Sequence, residues 1–406
     1  MPNESYNSET VASNMMKNNK NALVVFSLFL LLFPLSKSHA LEVSAYAKTS
    51  SIHSEGGARQ KSATSLENML RIKTLFQASE SIDIEFAYEC IPLIQGKRES
   101  LENFPRRTED YRLKDFKRRL DSLCDDCPIF HNLDRACIRY ALPAADICIG
   151  RQAISFGAAR IVNPTDVFLP HAFHSLNKED RIGVDAVRCS IPSGDLSEID
   201  IGIVLGNNMN RKKSAAFLSK RIHLYESDLS ALIMAFKKNF LIGFDIQRAI
   251  GQAGFWLETA YVFAQSSSET RIQSKNYLRA SSGLDYNVND KLYFFGEYHF
   301  NGPGSRASKK TLSNASQTAY KEGSAYLLYR HYLIPGTLYQ ISPLLSLNGK
   351  LLYCIVPSSA MLHTALQYNL KENRYLDIGV LQNFGHSSSE FKSYPNQIYL
   401  SLKGYF

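Results

Sequence analysis

The sequence predicts an all-β fold: a transmembrane, antiparallel up-and-down β-barrel of about 18 strands, with about 16 as the alternative. Three observations predict it. Apolar and polar residues alternate along most of the chain, the connections between the alternating runs are short and long in turn, and an export signal precedes the first run. The mean hydropathy of −0.20 is compatible with a membrane protein of this class, because alternating residues cancel in an average.

The C-terminal run, residues 396–406, shows the alternation most clearly. Read backwards from Phe406, one face carries Phe, Gly, Leu, Leu and Ile, and the other carries Tyr, Lys, Ser, Tyr and Gln. This period of two is that of a β-strand with one apolar and one polar side. A last strand that ends on an aromatic residue resembles the C-terminal signature by which outer-membrane barrels are recognised for assembly. The barrel-assembly machinery is therefore an expected partner, through the strand of Phe406.

A first hairpin, after Leu66, places basic residues opposite acidic ones. Arg71 and Lys73 share the polar face of its first strand, and Asp83 and Glu85 share that of its second. Opposed charges across a hairpin suit the wall of a water-filled interior. These four side chains are therefore candidates for the lining of a pore.

The same alternation recurs downstream, near residues 197–206, 240–247, 255–263, 290–300, 361–370 and 375–380. Glu258 and Glu297 lie on the polar faces of two of these runs, and we expect both to point into the lumen. His299 and His363 are predicted to point inward as well.

The connections differ in length from one end of the barrel to the other. Short ones are predicted near 79–81, 142–145, 192–196, 225–228, 251–252, 288–289, 342–343 and 371–374, and long ones near 53–66, 92–130, 156–181, 207–214, 265–275, 301–323, 356–360 and 384–394. This asymmetry is typical of outer-membrane barrels, whereas a β-sandwich has more even loops. Seventeen strands follow from Leu66 onward, and closure needs an even number, so Leu41–Lys48 is predicted as the first strand. The strands at 215–224 and 324–341 have the weakest patterns.

Residues 1–40 have the features of a signal peptide, which leaves residues 41–406 as a single barrel domain. Lys17 and Lys20 form the basic region, Ala22–Leu35 the apolar core, and Ser38-His39-Ala40 the cleavage site. A membrane anchor helix is the alternative, but the run is shorter than the roughly 20 residues that span a bilayer. The expected location is the outer membrane of a Gram-negative bacterium.

The loop at residues 92–130 is rich in arginine and lysine, and its YRLKDFKRRLDSL run is predicted to form a short amphipathic helix. A solvated surface loop is one interpretation, and contact with lipopolysaccharide or an anionic solute is the other. The loop also holds Cys124 and Cys127, for which a local disulfide or free thiols are expected. The other five of the seven cysteines lie in strand-like runs, where we expect small apolar packing residues.

The least generic stretch is Gly150–Pro170, GRQAISFGAARIVNPTDVFLP. It follows a strand-like run and opens a long connection, so it is predicted to fold inward and narrow the pore. Arg151, Arg160 and Asp166 are then candidates for the constriction, with Arg151 repelling cations. Structural hydrogen bonds that hold the loop to the wall are an equally good interpretation, and the two roles are compatible.

This segment resembles the GRQ…G…R…NP.D.F segment of a porin-like group of Gram-negative outer-membrane β-barrels, which is distantly similar to alginate-export-type channels. Gly296–Gly304 and the Ser342-Pro343-Leu344 stretch are similar to that group too. The resemblance implies a barrel and a channel but no particular substrate. Many inward candidates are acidic, including Asp200, Asp245 and Asp285, and this disfavours the export of a polyanion.

The expected function is a porin-type channel through which small hydrophilic solutes diffuse across the outer membrane. The alternative is a non-conducting surface barrel for adhesion or envelope structure. No catalytic motif such as GxSxG or HExxH occurs, and His171 and His174 lack further ligands at metal spacing. We therefore expect no enzyme, no cofactor and no metal. Expected partners are outer-membrane lipid, lipopolysaccharide and small solutes, and nucleic acid is not expected.

Overall fold

The chain closes into a barrel of 18 antiparallel strands. We describe it from a computed structural model, for residues 41–56, 62–95, 110–114, 118–120, 129–168, 181–264, 276–306, 318–321, 325–387 and 389–406. The barrel strands are β1 Leu41–Ser54, β2 Ala63–Ser79, β3 Ile82–Gln95, β4 Ile129–Ala141, β5 Asp146–Gln152, β6 Val184–Pro192, β7 Glu198–Val204, β8 Ala215–Leu224, β9 Ser227–Phe236, β10 Asn239–Ile250, β11 Ala253–Phe263, β12 Tyr277–Asn289, β13 Leu292–Asn301, β14 His331–Ser342, β15 Leu345–Cys354, β16 Ser359–Lys371, β17 Arg374–Gly385 and β18 Gln397–Tyr405. The signal-peptide prediction lies outside the described residues.

Short elements complete the described part of the chain. A three-residue strand, Arg118–Leu120, pairs with the start of β4. Short helical elements include the four-residue Thr318–Lys321 and the 3-10 turns Asn207–Met209, Arg211–Lys213 and Phe391–Ser393. Within the described residues, no helix has the length and apolar character needed to span a membrane.

The first and last strands close the barrel. Tyr46 of β1 pairs with Tyr405 of β18, and the Ser50 and Ser401 hydroxyls hydrogen-bond at 2.7 Å. The register continues to the C-terminus, where the Phe406 amide donates to the Ala45 carbonyl at 2.8 Å. A closed barrel has no unpaired edge. The predicted strand number is thus confirmed, and β1 extends six residues beyond its predicted end at Lys48.

The two faces of the wall differ as the period of two predicts. On β18, Ile398, Leu400 and Leu402 point outward and are about half exposed, whereas Tyr399 and Ser401 point inward and are buried. The outward apolar surface suits lipid, and the inward polar surface suits water. Of the two weakly patterned segments, 215–224 forms a strand throughout. The predicted strand at 324–341 begins only at His331, because residues 325–330 pack inside the barrel.

The structure differs from the sequence prediction at two connections and at one helix. We call the end of the barrel with the long connections the loop end and the other the turn end. At the loop end β9 and β10 are joined by Lys237 and Lys238 alone, where no connection was predicted. The connection near 356–360 was predicted to be long, but only four residues join β15 to β16. Lys237 adopts a positive φ of 52°, which a tight hairpin turn requires. The predicted helix is wrong at Arg118–Leu120, where backbone pairing with β4 overrides a helical side-chain pattern.

The apolar core lies inside the barrel, at the loop end. Four parts of the chain leave the wall and pack against inward side chains of the strands: 110–114, 153–168, 319–321 with 325–330, and 389–394. In one cluster the ring centres of Phe168 and Tyr111 are 5.0 Å apart, and those of Phe156 and Phe217 are 4.9 Å apart. In a second cluster Tyr329 and Phe391 are buried together. The inserted segments therefore narrow the loop end, while the wall at the turn end stays polar.

Candidate pore constriction

Residues 153–168, here called the constriction loop, cross the lumen and are held by two carboxylates of the far wall. Glu258 of β11 has no exposed surface. It accepts hydrogen bonds from the amides of Ala159 at 2.9 Å and Thr165 at 2.8 Å, and from the Thr165 hydroxyl at 2.7 Å. The Asn163 side-chain amide donates to it at 3.1 Å. Because a buried charge is stable only when it is well bonded, these donors tie the loop to this one position.

The second anchor is Glu297 of β13, which is 2% exposed. Its carboxylate accepts from the amides of three successive loop residues, Arg160, Ile161 and Val162, at 2.8–3.1 Å. The Trp256 indole donates to the same carboxylate at 3.1 Å. Successive amides that converge on one anion form a backbone nest. The wall itself thus supplies the anions that the loop binds.

Gly157 is required for the path between these anchors. Its φ is +96°, a region that favours glycine, and a Cβ there would lie 2.3 Å from the Glu258 carboxylate oxygens. Gly157, the second glycine of the GRQAISFG stretch, therefore allows the backbone to approach Glu258.

Arg160 is the candidate that faces open lumen. Its side chain is 51% exposed, and one guanidinium nitrogen lies 3.1 Å from the Asp285 carboxylate. The guanidinium also lies 5.3 Å from the centre of the Trp256 ring. Asp166, by contrast, is buried and accepts from the Arg181 guanidinium at 2.9 Å. Arg160 is therefore placed to meet a passing solute, and Asp166 holds the end of the loop.

Arg151 does not line the open lumen. It is 4% exposed, and its Nε and Nη2 atoms contact the two Asp185 carboxylate oxygens at 2.7 and 2.8 Å. The remaining donors reach the carbonyls of Leu133 and Lys114, each at 2.8 Å. A fully bonded, neutralised guanidinium contributes little field to the pore. The geometry favours the structural interpretation of Arg151.

Arg71 belongs to a buried charge network on the barrel wall. It forms ion pairs with Glu89 and, at 2.8 Å, with Asp134. Arg112, from the inserted segment 110–114, enters this network, with Nη1 donating to Asn132 at 2.6 Å and Nε donating to the Gly183 carbonyl at 2.9 Å. The network fixes the inserted segment to the wall.

Asp110 ties the same segment to the loop-end turn between β9 and β10. The Lys237 ammonium contacts its carboxylate at 2.8 Å and the Lys213 ammonium at 3.3 Å. Burial opposes ionisation of Asp110, but these two cations lower its pKa below the usual value. Segment 110–114 was not among the sequence-predicted site residues.

The other three candidates lie on the wall, towards the turn end. Lys73 is half exposed and contacts Glu85 at 3.0 Å, so the predicted pairing of base and acid across this hairpin is present. Asp83 is half-buried and lies opposite Arg139 of β4. These residues are not brought together with the constriction loop.

A further group of inward residues, of which only His363 was predicted from the sequence to point into the lumen, lines a cavity. We call it the lysine pocket; its volume is about 330 Å³, and its polar lining includes Lys48, Lys350, Lys403, His363, Tyr399 and Asp377. Ile161 of the constriction loop lies on its edge. The Lys403 ammonium contacts Asp377 at 2.8 Å. The alternation of β18 already placed Lys403 and Tyr399 on the wet face, but only closure of the barrel brings Lys48 and Lys350 beside them.

No protein-family model matches the chain, and no curated protein matches it. Solved structures do. A BenF-like porin from Pseudomonas fluorescens Pf-5 has a TM-score of 0.58 at 6% identity, over 91% of this chain and 100% of that one. OccAB2 from Acinetobacter baumannii has a TM-score of 0.56 at 8% identity, over 90% and 98%. OpdK from Pseudomonas aeruginosa with vanillate has a TM-score of 0.53 at 8% identity, over 90% and 98%. These similarities show a shared fold.

Proposed function

We propose that the protein is an outer-membrane channel through which small hydrophilic solutes diffuse. The observation that carries the proposal is a closed barrel of 18 strands with the constriction loop anchored across it. About eight strands can be filled by their own side chains, whereas 16 to 18 enclose a lumen wide enough for a channel. A loop folded into such a lumen reduces the width of the pore and leaves the barrel wall unchanged.

The lysine pocket supports a preference for small anions. Three lysines and a histidine line it against one carboxylate, Asp377, which pairs with Lys403, so its net charge is positive. Ile161 of the constriction loop is part of the same lining. Ammonium groups in a narrow aqueous pocket attract anionic solutes and repel cations. OpdK, which has the same fold, was solved with vanillate, an aromatic carboxylate. A carboxylate of that size is the solute class we propose for this chain, in preference to the long polyanion of an alginate-type exporter.

The proposed location is the outer membrane, with the loop end outside the cell. The outward apolar wall supports membrane insertion. We further propose that the basic segment near residues 92–130 contacts lipopolysaccharide and that the barrel-assembly machinery recognises the β18 strand.

Planar-bilayer recording of the purified protein tests the channel. We expect stable conductance steps in salt and a reversal potential that shows anion preference in a salt gradient. The apolar packing at the loop end favours a second candidate, a surface barrel that does not conduct. A folded, heat-modifiable protein that inserts and stays silent at every pH would establish that candidate instead.

Lys350→Glu tests the lysine pocket. The substitution changes the local charge by two units beside His363 and Lys48, so we expect the reversal potential to shift towards cation preference. Lys371→Glu, an exposed change at the turn end, is the matched control and is expected to shift it less. Equal shifts in the two variants would show that net charge, and not the pocket, sets selectivity.

A further inference from the structure

One buried carboxylate, Glu390, lies outside the constriction loop and the lysine pocket. It belongs to the connection between β17 and β18, in the inserted segment 389–394, and only a few per cent of its surface is exposed. The Tyr332 hydroxyl donates to it at 2.6 Å, and the Leu328 amide at 3.0 Å. The Tyr329 amide in turn donates to the Tyr332 hydroxyl oxygen at 2.7 Å. Glu390 thus joins one inserted segment to another.

The junction bears on the channel because of what lies beneath it. Leu327 and Tyr329 of segment 325–330 and Phe391 beside Glu390 are buried in one apolar cluster. Val162, at the tip of the constriction loop, is buried in the same cluster. Contact between segments 389–394 and 325–330 therefore covers the constriction loop from the loop end.

No basic side chain balances this carboxylate within the described part of the chain. Its electrostatic surroundings are its own burial, the Tyr332 hydroxyl and the Leu328 amide. The other titratable groups that face it are Tyr320 of the short helix Thr318–Lys321 and Cys354 of β15, and neither is a cation. Asp134, Asp185 and Asp285, by contrast, all pair with arginines. Glu258 and Glu297 also lack a cation, but each accepts four hydrogen bonds, whereas the Glu390 carboxylate accepts two. Burying an ion without a counter-ion is costly.

We propose that Glu390 is a proton-dependent latch of the loop end: as the neutral acid it holds segments 389–394 and 325–330 together over the constriction loop, and as the anion it releases them. Protonation reverses the Tyr332 bond: the Glu390 hydroxyl donates to the Tyr332 oxygen, and the Tyr332 hydroxyl hydrogen turns to the Cys354 sulfur, with which it also interacts. The Glu390 carbonyl oxygen still accepts from Leu328, so the neutral acid keeps both contacts. Release uncovers Val162 and widens the approach to the lumen. The inference rests on the proposed channel function.

The sign of the pH dependence follows from linkage. Burial raises the pKa of Glu390 from 4.5 to about 7. The latched state, in which the pKa is raised, is favoured at acid pH and loses its advantage as the pH rises through about 7. Between about pH 5.5 and about pH 8.5, the ratio of latched to released protein is expected to fall about thirtyfold.

Single-channel recording and hydrogen exchange, each at about pH 5.5 and about pH 8.5, test the latch. We expect the wild type to occupy a low-conductance state at the acid pH and a higher one at the alkaline pH. Amide protection factors in segment 389–394, which divide out the rise of the intrinsic exchange rate with pH, should be lower at the alkaline pH. Glu390→Gln, a neutral isostere, should stay in the low state with the same high protection factors at both values. Glu55→Gln, an exposed carboxylate at the same end that accepts from Asn396, is the matched control and should behave as wild type.

A second variant guards against misfolding of the first. Tyr332→Phe removes a hydroxyl that donates to the ionised carboxylate, so the transition should move to higher pH without being lost. Steps that do not change with pH in the wild type, or a Glu390→Gln variant that still responds to pH, would overturn the latch and leave the channel intact. Absence of steps at any pH, with protection factors in 389–394 that fall at alkaline pH in the wild type but not in Glu390→Gln, would overturn the channel function and leave the proton-dependent contact standing.

Discussion

Individual charged side chains in this lumen divide into those that meet water and those that hold the loops. Arg160 and Lys73 are about half exposed, whereas Arg151, Glu258 and Glu297 are almost fully buried. A buried charge that is paired and hydrogen-bonded contributes to position, because its field is neutralised nearby. An exposed one contributes to selectivity. Around the constriction loop, burial and not residue type separates the two roles.

Arg151→Ala tests this division. Removing the guanidinium leaves Asp185 buried without its partner, so we expect a loss of unfolding free energy on the order of 3 kcal/mol. The reversal potential should not change, because the side chain does not face the open lumen. Urea unfolding in detergent micelles and bilayer recording measure the two effects. A clear shift of reversal potential with full stability would place Arg151 in the selectivity filter.

At the scale of the element, the constriction loop is a segment without regular structure that depends on two strands for its shape. Its amides find acceptors in Glu258 and Glu297 in place of a β-ladder. Backbone groups inside a protein must be bonded, so a loop that crosses a lumen needs such acceptors. The spacing of the wall carboxylates therefore determines where the loop can lie.

Gly157→Ala tests the path of the loop. The new Cβ would meet the Glu258 carboxylate, and the positive φ would be strained, so we expect a loss of about 1–3 kcal/mol together with noisier, larger conductance steps. Gly251→Ala is the matched control. Its φ is +62°, but a Cβ there has nothing within 4 Å, so it reports strain alone. Similar conductance in the two variants would argue against a close fit between Gly157 and Glu258.

At the scale of the whole molecule, closure between β1 and β18 decides whether there is a lumen. The seam ends at Phe406, whose backbone exchanges two hydrogen bonds with Ala45, at 2.8 and 3.1 Å. An open sheet of this length would expose unpaired edges. Closure also brings β1 and β15–β18 around the lysine pocket.

Deleting Phe406 tests the seam. The deletion removes both backbone bonds and the terminal aromatic side chain, so we expect slower assembly and a smaller heat-modifiable fraction on gels. Phe406→Leu keeps the backbone bonds and removes the aromatic ring. If the Leu variant assembles as poorly as the deletion, recognition of the ring matters more than closure of the seam.

The sequence by itself determined the architecture of this protein. Alternation along each strand, a local property with a period of two, predicts the strands and the barrel that they form. The tertiary structure alone decided which inward groups meet. Arg151 finds Asp185 across 34 positions, and Glu297 finds the Val162 amide across 135. Such pairings depend on how strands close and how loops insert, which no local pattern encodes, and they separate the charges that hold the constriction loop from those that a solute can reach.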